Sequence, residues 1–187
     1  DGRGHGGREG EAVEFVRGAA GVGQQDGRAL ARVDGAAPAD GDDGLGAARA
    51  GRAWRETGAA QGRDGTWITP DIMAVYTAWH RMGHAHSVET WIDGELAGGL
   101  YGIAIGRAFY GESMFSRIDN GAKLAMVALC RHFARHGGAL IDCQMQNDFL
   151  ATLGVQERPR SRFLTTLASL IKQPLQDGCW QQRRISL

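Results

Sequence analysis

Lysine is almost missing from this chain. Only Lys123 and Lys172 occur; arginine carries the rest of the positive charge and balances the acidic residues to a formal net charge of +0. Without a basic excess there is no global field to draw in nucleic acid, so any grip on phosphates must come from a local patch. Cysteine is scarce too. Cys130, Cys143 and Cys179 are odd in number and show no C-x-x-C spacing. That excludes a disulfide framework and a short-spaced zinc cluster, and reads as reduced thiols in a cytoplasmic protein. No apolar run approaches the ~20 residues needed to cross a bilayer, so no membrane contact is expected. The opening Asp1-Gly2-Arg3-Gly4-His5 has neither the apolar stretch of a secretory leader nor an initiating Met.

The first third lacks still more. Residues 1–62 contain no Ile, Lys, Met, Tyr, Asn, Ser or Cys, and are dominated by Gly, Ala, Arg and Asp. Their few apolar side chains recur at neither period 3.6 nor period 2. Such a segment buries too little apolar surface to offset its ordering entropy, and is expected to be a disordered, low-complexity arm. Two origins stay open: GC-rich coding sequence read out of frame, or a natural biased arm.

The folded unit is expected over residues 63–187, long enough for one domain with its own core. Thr66 or Thr69 can cap a helix with Pro70 in its first turn, and Ile72, Met73, Val75, Tyr76 and Trp79 have helical spacing up to Gly83. His86 to Trp91 alternates, Asp93-Gly94 signals a hairpin, Leu96 to Ile105 returns, and a turn at Gly106-Arg107 leads to a third strand over Ala108 to Phe115. Lys123 to His136 reads as an amphipathic helix ended by Gly137-Gly138, Leu140 to Gln144 as a short buried strand, and Phe149–Leu153 and Phe163–Ile171 as helices. An antiparallel meander, a helix and a following strand make an α+β layer.

Several groups could carry chemistry. Asp142 and Gln144, two apart on a strand, would share a face, and a carboxylate beside a carboxamide can handle a proton or an amine. Glu112 ends the neighbouring strand; the plainer reading of Asp142 is a structural carboxylate held by backbone amides. His80, His84, His86 and Glu89 form an H-x3-H-x-H-x2-E set, but Gly83 interrupts the helix and the spacing matches no standard zinc pattern. The expectation is no metal site. The glycines at 98, 99, 102 and 106 fall inside a hairpin, not between a strand and a helix, so close backbone approach explains them better than a phosphate cradle. Trp67, Trp79 and Trp91 read as core residues that could stack on a base. Arg158, Arg160, Arg162, Arg183 and Arg184 are as readily a solvated face as a phosphate contact.

In order along the chain come Trp67-Ile68-Thr69, then Gly83-x-Ala85-His86-Ser87-Val88-Glu89-x-Trp91, Gly98-Gly99-Leu100-Tyr101-Gly102, Gly111-Glu112-Ser113-Met114-Phe115-Ser116, Leu140-Ile141-Asp142-Cys143-Gln144, and finally Leu153-Gly154 with Pro159-Arg160. This set closely resembles the leucyl/phenylalanyl-tRNA–protein transferase family of bacteria over about residues 62–171. The resemblance implies a GNAT-like acyltransferase fold. It implies transfer of leucine or phenylalanine, less well methionine, from aminoacyl-tRNA to the N-terminal Arg or Lys of an acceptor protein, which marks that protein for N-end rule degradation. It implies no cofactor, because the aminoacyl ester is already activated, and a monomer is expected. Residue by residue, it puts Asp142 and Gln144 at the pair that activates the attacking amine, with Glu112 lining the same site. Met114, Ser116 and Ile141 fall at the side-chain pocket, with Leu100, Met126 and Leu129 as further wall. Trp67 falls at a residue that stacks on the terminal adenosine. An unbranched Met wall suits several side-chain shapes. Departures are Phe149 where His is usual, Thr152 and Ala122 where Ser is usual, and a first third unlike the family's N-terminal domain. The alternatives are a module that binds aminoacyl-tRNA or basic N-termini without transfer, an acyl-CoA-dependent relative, and an inactive truncated homologue.

Overall fold

The computed structural model describes residues 11–15, 29–34, 55 and 68–185. Eight strands form one mixed sheet: β1 (Glu11–Phe15), β2 (Ala29–Asp34), β3 (Ala85–Ile92), β4 (Glu95–Ile105), β5 (Ala108–Ser116), β6 (Leu140–Asp142), β7 (Val155–Pro159) and β8 (Arg183–Ile185), in the order β7-β1-β6-β5-β4-β3-β2-β8. Among these, β5 and β6 run parallel and the other pairs antiparallel. Among the described residues the helices are α1 (Pro70–Arg81), α2 (Gly121–Arg135), α3 (Asp148–Thr152) and α4 (Arg160–Leu170), and Arg55 is helical as well. The α+β class is therefore as expected. No helix among the described residues is long and apolar enough to cross a membrane.

Local chemistry sets the element ends. Thr69 caps α1, its hydroxyl accepting from the Ile72 N–H at 3.3 Å, with Pro70 inside the first turn. Asp93 and Gly94 both take positive φ, as a tight β3–β4 hairpin requires. Alternation along β4 then sorts two cores. Leu100 joins Val88, Phe109, Met126 and Leu129 on the α2 face, while Tyr101 joins Ile68 and Phe115, with Met73 and Tyr76 of α1, on the other. Strand β4 is thus covered on both sides.

The glycines act as close-approach points. A Cβ on Gly98 would lie 2.5 Å from the Gly121 carbonyl carbon, and one on Gly121 would lie 2.4 Å from the Ala97 oxygen. The first turn of α2 therefore rests directly on the β4 backbone, pinned by Thr90 Oγ1 donating to the Gly121 carbonyl at 2.9 Å.

Three expectations are corrected. Residues 1–62 are not wholly an arm outside the fold: Glu11–Phe15 pairs with β6 and β7, and Ala29–Asp34 fills the position between β3 and β8. Ala31 and Val33 are completely buried there, because neighbouring strands supply the partners that the local pattern did not advertise. Apart from these strands and Arg55, that segment lies outside the described residues. The strand expected over Leu140 to Gln144 ends at Asp142. Strands β7 and β8 join the sheet where none was expected.

Candidate active site

Strands β5 and β6 pair over only three positions, Ala108↔Leu140, Phe109↔Ile141 and Tyr110↔Asp142. Beyond them β5 continues along β4, while the chain after Asp142 turns away. A cavity of about 530 Å³ opens at this parting. Its walls include Leu100, Phe109, Met114 and Met126, and its mouth carries Glu112, Gln144 and Asn147.

A register shift shapes the β5 wall. Tyr101 faces Ser113 and Gly102 faces Gly111, so Glu112 is the extra residue of a bulge. One extra residue reverses the inside–outside alternation. That reversal is why Phe109 and Met114, five apart, both reach the α2-side core. The backbone tolerates it because Gly102 has no side chain: a Cβ there would meet the Tyr110 carbonyl oxygen at 2.0 Å.

Gln144 does not share a strand face with Asp142, as period two had suggested. It has φ of 64°, in the left-handed region, which non-glycine residues occupy at a cost and which collects at functional sites. Two bonds hold it there. Its backbone N–H donates to Asp142 Oδ1 at 2.8 Å, and its Nε2 donates to the Gly111 carbonyl at 3.0 Å. With the amide nitrogen anchored on β5, the carboxamide oxygen is left as the acceptor of an exposed residue at the mouth. The half-buried Asp142 carboxyl is pushed above its ordinary range by burial, with the Gln144 N–H pulling the other way. Burial and the nearby Asp142 push the Cys143 thiol up to about 12, so this mouth cysteine is a neutral, weakly nucleophilic thiol.

Glu112 has its own partner. It accepts the hydroxyl of Tyr76, whose pKa is raised by burial first, then by the Glu112 charge and hydrogen bond. Tyr76 packs edge-on against Tyr101 at 5.1 Å and Trp79 at 5.3 Å, which fixes the ring that presents this hydroxyl.

Of the residues singled out in the sequence, the structure brings Leu100, Glu112, Met114, Met126 and Gln144 to one cavity, with Asp142 behind Gln144. It does not bring three others to that wall. The Ser116 hydroxyl accepts the Ala122 N–H at 2.8 Å and so caps α2. Leu129 is wholly buried in the core. Ile141 lines a separate cavity of about 160 Å³ with Arg107, Cys130 and Phe133. Trp67 lies outside the described residues. Phe109, Ser113, Cys143, Met145, Asn147 and Leu150 are lining residues the sequence reading did not single out; Phe109 and Leu150 carried a signal only as apolar residues of predicted elements.

The histidine set of the sequence does not close into a site. His80 Nδ1 pairs with the Ala85 carbonyl at 2.8 Å, and His86 stacks on Trp180 with ring centroids 4.2 Å apart. Trp91 donates to Glu89 at 2.9 Å. Trp79 is partly exposed instead of buried in a core.

Residues 54–168 match the family model described as leucyl/phenylalanyl-tRNA protein transferase. A leucyl/phenylalanyl-tRNA–protein transferase of Aeromonas hydrophila is 62% identical over 141 residues, which cover 73% of this chain and 60% of that protein. Proteins of the same name from Pectobacterium atrosepticum and Tolumonas auensis are each 53% identical, over 68% and 65% of this chain and 55% and 52% of their own lengths. The chain thus spans little more than half the length of these curated relatives.

Proposed function

The chain belongs to the leucyl/phenylalanyl-tRNA protein transferase family, and from that premise we propose that it moves leucine or phenylalanine, less well methionine, from aminoacyl-tRNA to the N-terminal Arg or Lys of an acceptor protein, marking it for N-end rule degradation in the bacterial cytoplasm. The fold proposed for residues 63–187 is a GNAT-like acyltransferase unit; the parallel β5–β6 pair, joined across α2, supports that reading.

The observation that carries the proposal is the anchored Gln144 at the mouth of an apolar cavity. An N-terminal α-amine donating to the Gln144 carboxamide oxygen is oriented with its lone pair toward the ester carbonyl. A new C–N bond forms as the ester C–O bond breaks, and the tRNA hydroxyl leaves with a proton. Asp142 holds the Gln144 backbone, takes up the proton lost by the amine and passes it to the leaving hydroxyl, a role that a raised carboxyl pKa suits. Glu112, steadied by Tyr76, offers a negative charge to the cationic acceptor side chain. Leu100, Phe109, Met114 and Met126 form a slot for an unbranched-at-Cβ apolar side chain, and the thioethers adapt to leucine, methionine or phenylalanine. Such a slot separates near-isosteres by only ~1–3 kcal/mol. The ester is already activated, so the reaction needs no coenzyme. Trp67 is the proposed stacking partner of the terminal adenosine.

The test is peptide-bond formation between leucyl-tRNA and an Arg-initiated peptide with the purified full chain. Asp142→Ala and Gln144→Ala should each lower the rate by ~10²-fold or more. Unchanged rates in both variants refute the assignment. Binding of the Arg-peptide with no product favours a binding module, and dependence on an acyl-CoA donor favours the acyl-CoA relative.

A further inference from the structure

Three side chains with no part in the cavity converge at the opposite end of α2. His132, His136 and Cys179 each place a ligand atom within 4.8 Å of the others. His132 lies in the last turn of α2 and His136 is its C-cap, so their i, i+4 spacing puts them on one face. Cys179 arrives from the segment after α4 and is buried.

One nitrogen of each imidazole is anchored on a backbone carbonyl. His132 Nε2 lies 2.7 Å from the Cys179 carbonyl oxygen, and His136 Nδ1 lies 2.9 Å from the His132 carbonyl oxygen. A neutral imidazole that donates its N–H to a carbonyl carries its lone pair on the other nitrogen, and this carbonyl-anchored tautomer is the form in which histidines bind metals.

We propose that His132, His136 and Cys179 form a binding site for Zn²⁺, with a water in the fourth position, that clamps the C-terminal segment to the end of α2. Two imidazoles and a thiolate are a borderline-soft donor set that selects Zn²⁺ or Co²⁺ over Mg²⁺ or Ca²⁺. Bond lengths of ~2.0–2.3 Å put tetrahedral donors roughly 3.5 Å apart, so rotation of the half-buried His136 and of the Cys179 thiol completes the site. Binding converts Cys–SH to thiolate and releases one proton to solvent. The clamp has an evident load. The next residue, Trp180, stacks on His86 at 4.2 Å and packs on Phe109 at 5.5 Å and Phe133 at 5.7 Å, so the segment held at Cys179 is the one that plugs this part of the core.

The experiment titrates Co²⁺ into the chelator-stripped full chain. A thiolate-to-cobalt charge-transfer band in the near ultraviolet should saturate at one ion per chain, and Zn²⁺ should displace it and raise the melting midpoint by ~5 °C or more. Cys179→Ser should abolish the band, and His136→Gln should weaken Co²⁺ binding by ~10-fold or more; Cys130→Ser should leave both unchanged. Should Cys179→Ser fail to fold, His136→Gln at the helix end carries the test, and full-affinity binding in that variant overturns the site. Absence of the band in the parent chain, or a band that survives Cys179→Ser, also overturns it. None of these readouts depends on aminoacyl transfer, so the result is independent of the function proposed above.

Discussion

The sheet has a tight half and an open half. In the tight half β3, β4 and β5 are paired along their lengths, β4 is covered by α1 on one face and α2 on the other, and glycine backbones approach closer than any Cβ would allow. In the open half β5 and β6 keep company for three pairs and then part, leaving a strained glutamine, a half-buried aspartate and an exposed Met145 around a hole. Stability is concentrated where backbones touch; chemistry is available where a ladder fails. A single bulge at Glu112 links the two, because the residue that re-aims β5 toward the cavity also contributes a carboxylate to its mouth.

Substitutions should separate the halves. The largest effect is expected from Gly121→Ala, whose Cβ would lie 2.4 Å from a backbone oxygen that cannot move alone. It should cost about 3 kcal/mol of stability in urea denaturation, at the upper end of ordinary overpacking; a loss under 1 kcal/mol would show that the contact is slack. Asp142→Asn comes next. It keeps an oxygen to accept the Gln144 N–H and removes the charge, so transfer should slow by ~10²-fold, about 2.7 kcal/mol in the barrier, with the denaturation midpoint unmoved. If stability falls with activity, Asp142 belongs to the tight half after all.

The third prediction concerns pH. Burial, aided by the charge of His80, pulls His86 from the ordinary 6.5 down to about 3. Between those values the unfolded chain binds the proton and the folded one does not. Stability from this site is therefore full above about pH 6.5 and declines as pH is lowered toward 3, by no more than about 1.4 kcal/mol per pH unit. Denaturation curves at a series of pH values should show this slope, and His86→Gln should flatten it. The smallest effect is expected from Ser116→Ala, which removes the hydroxyl cap on the Ala122 N–H and should cost about 1 kcal/mol. Its transfer rate per folded molecule should match the parent.

Legibility in the sequence follows the same division. The meander announced itself because His86–Trp91 alternates, Asp93-Gly94 can only be a turn, and the flanking glycines made sense as contact points. The open half did not. Whether Gln144 stays in a strand or swings into the left-handed region is decided by two hydrogen bonds that it donates, one to the Asp142 carboxylate and one to the distant Gly111 carbonyl, not by local period. Ser116 looked like a pocket residue and serves a helix end. Val155–Pro159 and Arg183–Ile185 are short and mostly exposed, so their strand character comes from partners that lie far away in sequence. Ala31 and Val33 were hidden by glycine-rich surroundings for the same reason. The two histidine groups make the point most sharply. The set at 80–89 has suggestive spacing but its members take separate partners, whereas the i, i+4 pair His132 and His136 gains Cys179 only because the chain after α4 returns to α2.

Three pairs are a short ruler. The β5–β6 ladder sets where Asp142 stands, and it begins two residues after the Gly137-Gly138 turn. Losing one residue in that turn would slide β6 by a notch and put the Cys143 sulfur where the Asp142 carboxylate belongs, gaining one would put Ile141 there, and either change turns the carboxylate to the far face. Within this loop the count of residues constrains the site more strictly than their kinds do.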